Sequence, residues 1–168
     1  MTISAQQNSS YNPPPVTAHP PAGWRDRRRN PRSTTSSTGI RRLPHGGWCP
    51  KGRKSLEGPI PARYQLAETP SASYLQRTEW NVRDNDGTVV FTLAAEVTGG
   101  SLRTIGFARK HGKPCLHLSR DGGPDQPADL KRFVAEHGIK TLNVAGSRES
   151  KEPGLHDWVM QMLEAAFF

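Results

Sequence analysis

From about residue 88 onward, short apolar runs alternate with stretches whose apolar positions recur at helical spacing. TVVFTL (88–93) is a β-branched run, followed by TGG and a helical stretch that closes at His111 and Gly112. PCLHL (114–118) predicts a second strand. In PADLKRFVAEHG, Leu130, Phe133, Val134 and His137 fall at i, i+3, i+4 and i+7, and Gly138 supplies the stop. KTLNVAG (140–146) predicts a third strand. In PGLHDWVMQMLEAAFF, Pro153 sits near the first turn, and Leu155, Trp158, Val159, Met162, Leu163, Ala166 and Phe167 make one apolar stripe. Strand followed by helix, three times over with apolar strands, predicts right-handed βαβ crossovers. The expected fold is α/β, a Rossmann-like parallel sheet with helices on both faces.

The pattern is different upstream. In LPHGGWCPKGR, Trp48 and Cys49 mark the first candidate buried strand. The chain then turns Pro-rich and loop-like through IPARYQLAETPSASY, with a short helix expected from about Ala72 to Val82. Residues 1–44 have prolines at 13–15, 20, 21, 31 and 44 and few aliphatic side chains, a composition that cannot offset the entropy of ordering. They read as a disordered basic Pro/Ser/Arg-rich segment ahead of a Rossmann-like domain over 45–168.

Charge sharpens that division. The formal net charge is +8, but residues 1–45 hold seven arginines against one acid, Asp26. The remainder is nearly balanced, with sixteen basic and fourteen acidic groups. A high isoelectric point is therefore a property of the first quarter and gives no nucleic-acid signature to the domain. Cys49 and Cys115 match no disulfide framework or metal spacing and read as reduced thiols. No apolar run approaches the ~20 residues of a membrane span, and no hydrophobic segment opens the chain as a secretory signal would. A cytoplasmic protein is expected, with no membrane partner and no metal held by its scattered histidines.

In such sheets, ligands sit beyond the carboxyl ends of the strands. Two loops meet that description. In TGGSLRT, Gly99 and Gly100 allow close backbone approach, while Thr98, Ser101 and Thr104 offer hydroxyls. The N–H groups opening the next helix make an anion site. In NVAGSRES, Asn143 can read a polar edge, Gly146 permits a tight turn and Arg148 is a fork-shaped oxyanion ligand, with Glu149 beside it. Each loop taken alone also fits an ordinary strand-to-helix connection. Lys51 and Arg53 in WCPKGR are further phosphate-contact candidates or a solvated turn. Arg77, Asn81 and Asp84 share a helical face that reads as solvated.

Together, HGGWCPKGR, GPIPARYQLAETPSASYLQRTEWNVRD, TGG, HGKPCL and NVAGSRES resemble the molybdenum-carrier family, described as a circularly permuted branch of the Rossmann-like SLOG proteins. The resemblance covers about residues 45–168. It implies a pocket for a nucleotide-like or oxyanion-bearing small molecule: a nucleotide, a molybdenum oxyanion or the molybdenum cofactor. A homo-oligomer is left open. SLOG relatives that cleave nucleoside monophosphates have Pro-Gly-Gly-x-Gly-Thr-x-x-Glu. Here Leu102 stands at the third glycine and Gly106 at the glutamate, so a carboxylate for acid–base work is missing and a binding protein is expected before a phosphoribohydrolase-like enzyme. Relatives also begin with a strand and a Gly-Gly-x-Thr-Gly motif, and this first strand–helix unit is expected to be missing before His45. The stretch from Gly23 to Asn30 can be encoded so that the next reading frame gives Gly-Gly-Glu-Thr-Gly-Val-Glu. A frameshift is therefore favoured over a basic nucleic-acid arm as the source of the arginines.

Overall fold

The computed structural model describes residues 2–5, 44–55 and 58–168. In chain order the strands are β1 (Thr2–Ala5), β2 (His45–Gly46), β3 (Trp48–Cys49), β4 (Ala67–Glu68), β5 (Gly87–Thr92), β6 (Cys115–Ser119) and β7 (Thr141–Gly146). The helices are α1 (Tyr74–Arg83), α2 (Gly99–Lys110), α3 (Gln126–Glu136) and α4 (Leu155–Phe167). Five strands form one sheet in the order β2-β1-β7-β5-β6, and β3 and β4 pair separately. Every pairing is parallel. The Rossmann-like α/β reading holds.

The apolar runs become the central strands because both of their faces are covered. All six residues of β5 are buried. Val89 and Phe91 join Leu142 and Val144 of β7 and the stripes of α3 (Leu130, Phe133) and α4 (Leu155, Val159, Met162, Leu163) in the main core. Helices α3 and α4 pack on each other, as do α1 and α2. From β5 the chain crosses through α2 to β6, then returns through α3 to β7 on the other side of β5. The winding direction reverses there, so a crevice opens between the ends of β5 and β7.

Two expectations are corrected. A strand does precede His45: β1 lies inside the sheet, with Thr2–Ala5 in register with Thr141–Val144 on one side and Ile3 and Ser4 opposite His45 and Gly46 on the other. Average composition over 44 residues hid a four-residue TISA strand. The basic stretch, the frame-shifted motif and the helix half of that first unit lie outside the described residues.

The second correction concerns α1, where two of the three residues of the polar face are buried and only Asp84 is exposed. Arg77 is 2% and Asn81 0% exposed. The Asn81 side chain accepts from the Trp48 backbone N–H at 2.8 Å and donates to the Trp48 carbonyl at 3.0 Å, as a neighbouring strand would. Asp84 accepts from the Trp48 indole N–H. The GGWC and RTEWNVRD segments are thus two halves of one contact. Nearby, the Arg53 guanidinium donates to the carbonyls of Ile60, Pro61 and Tyr64, closing the loop over a small core of Cys49, Ile60 and Tyr64.

Candidate functional site

Strands β5 and β7 are adjacent and parallel, so the loops that leave them open on the same sheet edge. Between these loops lies a cavity of about 370 Å³. One wall is Thr98, Gly99, Gly100 and Ser101 at the start of α2. The other is Ser147, Arg148, Lys151 and Glu152 from the loop that leads to α4.

The first wall is built of donors. Gly99 has φ +57°, a conformation that favours glycine, and a Cβ at either Gly99 or Gly100 would stand in open space. The first N–H groups of a helix have no partner within it and carry the positive end of its dipole. Thr98 precedes the helix without spending its hydroxyl on a cap bond. Ser101 is 3% exposed, yet among the described residues its Oγ has no hydrogen-bond partner. A buried hydroxyl left unsatisfied costs on the order of 1–3 kcal/mol, so a ligand atom that it meets is strongly favoured.

The second wall brings charge. Among the described residues, neither the Arg148 guanidinium nor the Lys151 ammonium forms an ion pair. Burial lowers the pKa of Arg77 to about 10, and the like charge of Arg148 adds to that effect. Arg77 therefore remains a cation at neutral pH and adds positive potential on the same side. The acid is Glu152, whose Oε2 accepts from the Leu93 backbone N–H. At the same strand ends, His117 Nε2 lies 2.7 Å from Thr92 Oγ1. That hydroxyl donates to the Ala94 carbonyl, so the ring nitrogen donates. Burial pushes the His117 pKa down, partly opposed by the charge of Glu152.

The structure gathers Thr98, Gly99, Gly100, Ser101 and Arg148, as the two loops implied. The other candidates have other places. Thr104 is buried in α2, bonded to the Gly100 carbonyl. Asn143 is fully buried in β7 and donates to Thr88 Oγ1, tying β7 to β5. Gly146 serves close approach: a Cβ would stand 3.0 Å from the Phe91 carbonyl oxygen. Glu149 accepts from the N–H groups of Gly154 and His156, which hold its carboxyl below the usual range. It organises the start of α4 and does not line the cavity. Lys51 and Arg53 do not line it either. Ser147 lies within the NVAGSRES loop, but sequence reasoning missed Lys151 and Glu152, which stand just past its end; the available signal is the Lys-Glu pair before Pro153.

No helix among the described residues is long and apolar enough to cross a membrane. The model of the circularly permutated YpsA SLOG family matches residues 32–167. Among solved structures, the chain is similar to one described as a putative molybdenum carrier protein from Syntrophus aciditrophicus, at 38% identity and a TM-score of 0.72. That similarity covers 75% of this chain and 80% of the other. No curated protein matches.

Proposed function

This chain belongs to the circularly permutated YpsA SLOG family, and from that premise we propose that it binds a small molecule through an oxyanion group between the start of α2 and the loop after β7. The observation that carries this reading is Ser101, a residue of the cavity wall whose buried hydroxyl has no partner among the described residues. The free N–H groups of α2, the Thr98 hydroxyl and two cations without ion-pair partners complete a cradle for a tetrahedral anion. A phosphate group of a nucleotide-like ligand fits this donor set, and so does molybdate, which the name of the solved relative suggests. A carrier or sensor is favoured over a hydrolase because α2 offers no carboxylate: the position of the glutamate in nucleotide-cleaving relatives is Gly106. The two free cysteines fit a reducing, cytoplasmic compartment.

Titration calorimetry with AMP, ADP-ribose, inorganic phosphate and molybdate tests the reading. At least one is expected to bind, and Arg148→Ala is expected to weaken it by about 10- to 100-fold, the loss of a charge-assisted bond. Absence of binding, or binding indifferent to Arg148, removes the proposal.

A further inference from the structure

The cavity has one group that a fully ionised oxyanion such as molybdate does not want. Glu152 lines it together with the cations, but forms no ion pair with Arg148 or Lys151. Its charge is therefore not consumed in neutralising them. Nor is the side chain free to swing away, because the Leu93 N–H holds its Oε2. Among the described residues, Oε1 has no hydrogen-bond partner. An ionised carboxylate only accepts hydrogen bonds, so a ligand that displaces water from this oxygen must bring a donor of its own.

We propose that Glu152 is the specificity-determining residue of this site and selects a hydroxyl-bearing phosphate ester, a sugar phosphate or nucleotide, over a bare oxyanion. The inference rests on the oxyanion reading above. The ligand is anionic where α2 begins and carries hydroxyl donors a few ångströms away, where Glu152 waits. Molybdate, which is fully ionised and has no hydrogen to donate, fills the first position and meets repulsion at the second. The merely structural role, a tether for the loop after β5 through Leu93, predicts no ligand preference.

Glu152→Gln separates the two roles. The amide oxygen still accepts from Leu93, while the amide nitrogen turns a donor toward the cavity. Titrations of the full chain with ribose 5-phosphate, methyl phosphate and molybdate provide the readout, at about pH 8, where the phosphate monoesters are dianions without a P–O–H. The unaltered chain is expected to bind ribose 5-phosphate about tenfold tighter than methyl phosphate, the size of one bond to a charged group. Glu152→Gln is expected to erase most of that preference and to tighten molybdate, with the thermal midpoint unchanged. If that variant fails to fold, the ribose 5-phosphate to methyl phosphate ratio in the unaltered chain decides alone. A preference that survives Glu152→Gln overturns the assignment, as does a chain that binds methyl phosphate or molybdate as tightly as ribose 5-phosphate. Binding that is absent, or indifferent to Arg148→Ala, overturns the oxyanion site and this inference with it. Arg148-dependent binding without the hydroxyl preference overturns only the role of Glu152.

Discussion

At the scale of single residues, stability and binding pull in different directions at Ser101. Its hydroxyl is buried without a partner among the described residues, so it costs the fold something, and the proposed ligand would recover that cost. Ser101→Ala is expected to leave the unfolding midpoint equal or slightly higher while weakening ligand binding by about 2- to 10-fold, the worth of one neutral hydrogen bond. A lowered midpoint with unchanged affinity would show that the hydroxyl belongs to the fold. Asp86 is the opposite case. Its Oδ2 accepts from the N–H groups of Lys140 and Thr141 and from the Thr141 hydroxyl, fastening the start of β7 beside β5. Those bonds hold its pKa below the ordinary 3.8, the Thr141 N–H first among them. A depressed carboxyl stabilises the fold above its ordinary value, and the contribution is lost as pH falls from there through the lower folded value. Acid unfolding followed by circular dichroism should therefore show a shallower loss of stability below about pH 4 in Asp86→Asn than in the parent.

Among the elements, α1 shows how a polar helix face earns burial. Its mean pattern reads as solvated, because Arg77, Asn81 and Asp84 are polar and evenly spaced. What the spacing cannot reveal is that another segment brings a backbone with unmet hydrogen bonds to that face. Asn81 satisfies both the N–H and the C=O of Trp48. Trp48 then rests edge-on against Trp80, with ring centroids 4.8 Å apart. Asn81→Leu leaves the Trp48 groups unsatisfied and should cost about 2–4 kcal/mol. Denaturant titration gives that value, and loss of the near-ultraviolet signal from the paired indoles locates it. A change under about 0.5 kcal/mol, the level of a neutral surface substitution, would refute the clamp. Pattern alone did suffice for α3 and α4, whose stripes at helical spacing face the sheet core as anticipated.

For the whole molecule, the decisive piece is the shortest one. Strand β1 is four residues long, yet it joins β2 to β7 and ends the exposure of a central strand's edge. Deleting residues 1–5 removes both ladders at once. Unpaired backbone groups cost on the order of 1–3 kcal/mol each, against a typical total of roughly 5–15 kcal/mol. The deleted chain is expected to lose cooperative thermal unfolding, as measured by calorimetry. A sharp transition at the parent midpoint would show that the sheet stands without β1.

By itself the sequence determined the α/β class, the strands and helices from β5 to α4, and two loops rich in glycine and hydroxyls. These follow from periodicity and local turn chemistry, which act between neighbours along the chain. Only the tertiary structure decided that TISA is a sheet strand and that Asn81 is a clamp. It also moved Glu149 out of the site and brought Lys151 and Glu152 into it. Each of these depends on which backbone groups and charges the fold brings together from distant parts of the chain. A carboxylate three residues further along the same loop changes from a helix organiser to a wall of the cavity, and no local pattern distinguishes Glu149 from Glu152.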